Sequence, residues 1–167
     1  MGDDRVLRMP NGDMITIRHS SAETKGAFFE IEAVIPPRTS GPPAHLHLRE
    51  EESFAVVEGR LWVRCGKERI ELGPGESATV PPNTAHTFAN RTDQPVTVVT
   101  RSTPAGLLEQ MFRLQATSKR PPLLRVAEIN HGKDATFFLA AIPVAPQRLM
   151  WNGLAGLASL GRLVRRG

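Results

Sequence analysis

The sequence predicts an all-β fold, a small antiparallel β-barrel or jelly roll, followed by a C-terminal helical extension. Three observations carry this. Short apolar or alternating runs recur at near-regular spacing over the first hundred residues. Fourteen Gly and fourteen Pro among 167 residues supply the turns between them. After Pro104 the apolar period lengthens from that of a strand to that of a helix. A chain of this length buries one good core. The division read from it is residues 1–104 for the barrel and 105–167 for an extension packed on the barrel or on a dimer partner.

Taken in order, residues 14–18 (MITIR) read as a short strand, and residues 27–35 (AFFEIEAVI) alternate apolar with acidic as a half-buried strand does. Pro36 and Pro37 end that strand, and residues 39–44 (TSGPPA) are a loop. Strands are then expected at residues 45–48, 53–57, 60–65, 68–72, 77–80, 86–89 and 96–102, with Glu58-Gly59 and Gly66-Lys67 as tight turns. Residues 106–117 have helical spacing at Leu107, Leu108, Met111, Phe112 and Leu114, and Pro121-Pro122 breaks that helix. Residues 123–130 form a second helical segment closed by Gly132. Residues 137–146 are apolar with two prolines and are expected to be extended. Residues 147–166 read as an amphipathic helix with Leu149, Met150, Leu154, Leu157, Leu160 and Val164 in one stripe and Arg162, Arg165 and Arg166 at its end.

Charge divides the chain. Residues 1–104 carry 12 basic and 14 acidic side chains, whereas residues 105–167 carry 9 basic and 3 acidic. The basic extension suits an acidic partner, an anionic membrane surface or the acidic barrel of a dimer partner. Nucleic acid is not expected as a partner, because the basic residues are scattered without interleaved aromatics. Residues 135–161 hold a single charge, Arg148, yet Pro143, Pro146, Gln147 and Asn152 interrupt any membrane-spanning run. Packing on the barrel or in a homodimer is the expectation, with peripheral membrane contact through the C-terminal helix as the lesser reading. The start of the chain, MGDDRVLRMPNGD, lacks the apolar stretch of a secretory leader, and Val6 stands where a myristoylated chain carries Ser or Thr. With Cys65 as the lone cysteine, no internal disulfide forms, and the reducing cytoplasm is the expected compartment.

The chemistry concentrates in two windows. The first runs His45-Leu46-His47, four residues, Glu52, six residues, Gly59. The second runs Gly75, five residues, Pro81, then His86 and Asn90. Three of the five histidines of the chain fall there. Together these windows resemble the two-part motif of the cupin family, small β-barrels that hold a divalent metal in the barrel mouth. Where that motif has Gly two residues after its Pro, this chain has Asn83, a residue that tolerates the left-handed turn. The resemblance is nearest to single-domain bacterial cupins similar to quercetin 2,3-dioxygenase and covers residues 36–113.

The resemblance implies a metal held by His45, His47, Glu52 and His86. Strand parity agrees, since His45 and His47 share a face, and Phe54 and Val56 share the parity of Glu52. Phe54, Val56 and Phe88 are the expected pocket lining. Three imidazoles and a carboxylate suit Fe, Mn, Ni, Cu, Co or Zn and do not choose among them. Such a site leaves coordination positions open for a small-molecule substrate. The implied activity is a dioxygenase acting on an enolisable aromatic, flavonol-like or polyketide-like molecule, with Glu52 as ligand, base or both. A non-oxidative zinc-type cyclase or isomerase and a non-catalytic ligand-binding cupin are the alternatives. Asn90 is read as a structural hydrogen-bonder, Arg49, Glu50 and Glu51 as a solvated charged tip, and His19 and His131 as exposed.

Overall fold

The computed structural model describes residues 4–118 and 121–164, with side chains described as far as residue 160. Its strands are β1 (Val6–Arg8), β2 (Met14–His19), β3 (Phe29–Ile35), β4 (His45–Leu46), β5 (Glu51–Glu58), β6 (Leu61–Cys65), β7 (Glu68–Leu72), β8 (Ser77–Val80), β9 (His86–Ala89), β10 (Val96–Thr103) and β11 (Phe138–Leu139). The helices are α1 (Leu108–Ala116), α2 (Leu123–Ile129) and α3 (Val144–Val164), with a 3-10 turn at Gly132–Asp134. None of the described helices is long and apolar enough to cross a membrane.

All described strand pairings are antiparallel. They make two sheets, ordered β1-β2-β3-β10-β5-β8 and β11-β4-β9-β6-β7. Of the barrel or jelly roll expected from the sequence, the structure shows the two-sheet form: the sheets are not closed into a barrel. Prolines explain the break in the ladder. Pro36-Pro37, Pro42-Pro43, Pro81-Pro82 and Pro95 lie where the chain passes between sheets and offer no N–H to carry pairing around the corner.

One core joins the sheets. Ile15, Ile31, Phe54 and Val98 from the first face Leu61, Val63 and Leu72 from the second. The inward parity of β10, with Val96, Val98, Thr100 and Ser102 buried, is the alternation of a strand wet on one side. Strand β1 has only three residues, too few to announce themselves by alternation. Asn90 satisfies the expectation made for it: its amide donates to the carbonyls of Ile35, Pro36 and Gln94, and its oxygen accepts from the backbone and hydroxyl of Thr92.

The extension departs from expectation in three ways. Helix α1 starts at Leu108 rather than Gly106, because Gly106 takes φ +54° and ends the extended segment instead. Helix α3 starts at Val144 and takes Pro146 into its first turn, where a missing N–H costs nothing. Its buried face is Gln147, Trp151, Ala155 and Ala158, while Leu149, Met150, Leu157 and Leu160 of the expected stripe are exposed and only Leu154 joins the inner cluster. The small Ala155 lets α3 approach Ala127 of α2, and Trp151 fills the space beside them. Gln147 ties the helix down: its amide donates to the carbonyls of Leu139 and Ile142, and its oxygen accepts from the backbone of Leu139. Of the residues expected in the basic end, the side chain of Arg162 and all of Arg165 and Arg166 lie outside the described residues, as does the side chain of Val164.

Candidate metal centre

Strands β4, β5 and β9 bring four side chains to one point. His45 and His86 are direct cross-strand partners. His47 follows His45 by two residues and keeps its face, and Glu52 enters from β5 on the opposite sheet. Ligand atoms of His45, His47, Glu52 and His86 all lie within 4.8 Å of one another. That spread suits ligands around a single ion with bonds of about 2.0–2.2 Å. All four residues are buried, between 1% and 6% exposed.

The hydrogen bonds behind the rings fix their chemistry. His45 Nδ1 lies 2.9 Å from the carbonyl of Pro43, His47 Nδ1 2.9 Å from that of Thr136, and His86 Nδ1 3.0 Å from that of Thr84. A carbonyl only accepts, so we assign the proton to Nδ1 in each neutral ring, which leaves three Nε2 lone pairs pointing inward. His47 Nε2 is buried without a hydrogen-bond partner. His86 Nε2 sits 2.9 Å from Glu52 Oε2, and His47 Nε2 3.7 Å from the same oxygen. Lone pairs brought this close repel unless a cation lies among them, which is the arrangement of a metal site with its outer hydrogen bonds in place.

The electrostatics agree. Burial, reinforced by the neighbouring His86 and His47, pushes His45 down to about 3. Burial alone would lower His47 too, but the Glu52 carboxylate, the Thr136 carbonyl and the field of Glu50 raise it overall. Burial alone would raise Glu52, yet the adjacent His47 and His86 rings hold it well below the usual carboxylate range. Glu52 is thus an ionised carboxylate inside the protein. Without a metal, its charge favours a proton on His47, and that proton takes the place of the ion.

Glu52 also lines a cavity of about 40 Å³ with Phe54, Phe88, Asp13 and Phe112 of α1, room for one or two waters. Val56, by contrast, packs into the core between the sheets. Asn83 takes φ +62° in place of the expected Gly. There its backbone N–H donates to the carbonyl of His47 at 2.7 Å, so the second motif pins the first.

Sequence reasoning missed four residues here. Thr136 accepts from His47, and Phe137 stacks on His45 with ring centroids 4.6 Å apart at 23°. Asn130, fully buried, holds both in place. Its oxygen accepts from the backbone of Thr136 and Phe137, and its amide donates to the Phe137 carbonyl at 2.7 Å. No motif announces these residues; the only trace is an Asn at the end of a helical run. The fourth is Glu50, expected at a solvated tip but buried against Gly106, leaving Arg49 and Glu51 exposed, Arg49 in an ion pair with Asp134. His19 is exposed beside Phe28 and Glu30, and His131 is exposed.

Comparison with known proteins places this geometry. The family described as "Cupin domain" matches residues 31–100. The quercetin 2,3-dioxygenase of Bacillus subtilis is 30% identical over 111 residues, 66% of this chain and 31% of that protein. An uncharacterised protein of Methanocaldococcus jannaschii is 29% identical over 80 residues, 48% of this chain and 64% of that protein. The chain therefore spans less than two thirds of the length of either curated relative. Among solved structures, KdgF from Halomonas sp. superposes with a TM-score of 0.52 at 20% identity, over 59% of this chain and 84% of that one, a likeness of fold.

Proposed function

This chain is a member of the cupin superfamily through its residues 31–100, and from that premise we propose that it is a metal-dependent enzyme, a dioxygenase acting on a small enolisable molecule. One observation carries the reading: three inward Nε2 lone pairs and an ionised carboxylate converge within 4.8 Å, each imidazole fixed by a backbone carbonyl behind it. His45, His47, His86 and Glu52 would hold one divalent transition metal, with Fe, Ni, Mn, Cu, Co and Zn all compatible with this donor set. When bound, that ion supplies Lewis acidity and, where it is redox-active, a means of engaging oxygen. The similarity to a quercetin 2,3-dioxygenase over 111 residues supports oxygen chemistry on an enolic substrate.

The chain's own residues contribute three things. Glu52 is ionised and borders the cavity, so its carboxylate can accept the proton of an enol or phenol hydroxyl presented there. Phe54, Phe88 and Phe112 keep water from that transfer. Phe137 covers the His45 ring and stands between the centre and the outside.

A second reading follows from the size of the cavity. About 40 Å³ holds no flavonol. A smaller substrate, turned over by metal polarisation and proton shuttling at Glu52 without oxygen, fits this enclosure better. Elemental mass spectrometry of tag-free protein, run beside oxygen uptake with enolisable phenols, separates the two. Stoichiometric redox metal with oxygen uptake supports the dioxygenase; stoichiometric zinc without uptake transfers the case to a cyclase or isomerase; absence of bound metal after reconstitution rejects both.

A further inference from the structure

The outward face of the β4-β9-β6-β7 sheet carries a groove of about 730 Å³, bounded by the loop from Arg38 to Ala44 and floored by Trp62, Arg64 and Thr87. Its volume falls in the range of small-molecule sites. Its floor faces away from the candidate metal centre, since Trp62, Arg64 and Thr87 alternate with the inward Val63 and His86 along β6 and β9, with Phe88 lining both the groove and the Glu52 cavity.

The charges in this groove are one-sided. Arg38, Arg64 and Arg91 line it and no carboxylate does. Arg38 is engaged by Asp93 at 2.7 Å. Arg64 is partly buried, and its Nε is shielded from solvent without a hydrogen-bond partner. Across the ladder Arg64 faces Arg69, a directly opposed like-charge pair that a sheet ordinarily avoids. Arg91 lies flat on Trp62, 3.5 Å from the ring centroid, which fixes its guanidinium without consuming its donors.

The wall is rigid. Gly41 N donates to the Phe88 carbonyl, Thr87 Oγ1 donates to the Pro42 carbonyl at 2.7 Å, and Ser40 bridges to Ala89. A Cβ at Gly41 would overlap the Phe88 carbonyl, so the close approach of loop to strand depends on glycine. Unsatisfied, partly desolvated guanidinium donors in a preformed concavity beside an aromatic ring are the features of an oxyanion site.

We infer that this groove is a second ligand site, taking a small molecule that carries a carboxylate or phosphate group next to an apolar ring. Arg64 and Arg91 bind the oxyanion, and the Trp62 edge with Pro42 and Pro43 contacts the ring.

Isothermal titration of the metal-loaded full chain with phenyl phosphate, benzoate and neutral benzyl alcohol tests this. Saturable binding of one or both anions and none of the alcohol is expected; which anion binds identifies the class. Arg64→Gln and Arg91→Gln should each weaken binding about tenfold or more, while Arg60→Gln, outside the groove, leaves it unchanged. Arg91 is exposed, so that variant keeps its fold even where Arg64→Gln does not. His86→Ala, without a metal centre, should still bind, which separates this site from the proposed function. No saturable binding of either anion, affinity unchanged from the unsubstituted chain in both arginine variants, or loss of binding in His86→Ala would overturn it.

Discussion

His47 donates its Nδ1 hydrogen to the carbonyl of Thr136 at 2.9 Å, across 89 positions of sequence. A candidate ligand histidine in the first half of the chain is thereby oriented by the C-terminal extension. Strand β11 adds to the edge of the second sheet against β4, with Leu139 opposite His45 and Phe138 opposite Leu46. The extension is built into the centre.

His47→Ala and His86→Ala should each lower metal content well below one ion per chain, because each removes one of four donors and leaves an unfilled position in a buried site. The sandwich core does not depend on either ring, so far-ultraviolet circular dichroism should be unchanged. Either variant keeping full metal content would sink the ligand assignment.

Asn130→Ala should loosen the metal without touching a ligand. The change removes three hydrogen bonds that hold Thr136 and Phe137 against His47 and His45. Loss of such outer support costs about 10–100-fold in metal affinity, and the freed backbone groups cost about 1–3 kcal/mol of stability. Chelator competition and urea unfolding read the two separately. An unchanged affinity beside a lowered stability would mean that the extension supports the fold alone.

Gly106→Ala should destabilise by about 1–3 kcal/mol, since the residue sits at φ +54° and its Cβ would meet the Glu50 carboxyl. Glu50→Ala removes that carboxyl, so the double variant should be more stable than the sum of the single effects implies. Strict additivity in urea unfolding would show that Gly106 and Glu50 do not press on each other.

Metal-free protein should lose stability as pH falls from about 6.5 towards 3. His45 titrates at about 3 when folded and near 6.5 when unfolded. Between these values the unfolded chain carries a proton that the folded chain does not, so stability rises with pH by up to about 1.4 kcal/mol per unit. Glu52 acts in the same sense: its folded value lies below its unfolded one, and its contribution is lost as pH falls through the acid range. His47 acts in the opposite sense, its raised value giving stability at low pH that disappears as pH rises through it. That loss falls above about 6.5, outside this window, so the slope between 6.5 and 3 keeps the sign set by His45 and Glu52. Urea midpoints measured in chelator at several pH values check the sign, and a flat or inverted profile would contradict it.

What the sequence discloses depends on how local the cause is. Strands β7, β8 and β9 carry the bounds read from their alternation and turns, and the HxH of β4 puts two imidazoles on one face because side chains alternate along any strand. The left-handed Asn83 is legible for the same reason: a position in a tight turn constrains the backbone by its neighbours alone. By contrast, the stripe read along the last helix for packing on the barrel or on a dimer partner leaves Leu149, Leu157 and Leu160 exposed, and within the chain the helix buries Gln147, Trp151, Ala155 and Ala158. Periodicity marks an amphipathic helix without saying which flank finds a neighbour, and here the close approach of α2 and α3 favours small residues.

By itself, then, the sequence determined the all-β core, its turns and the four side chains able to meet at a metal, because strand parity and turn chemistry act over a few residues. Only the tertiary structure decided that the strands divide into two sheets, that Glu50 is buried under Gly106, and that Asn130, Thr136 and Phe137 close the centre from the far end of the chain. Those are contacts between segments tens of residues apart, set by how whole elements pack, and no local pattern encodes them.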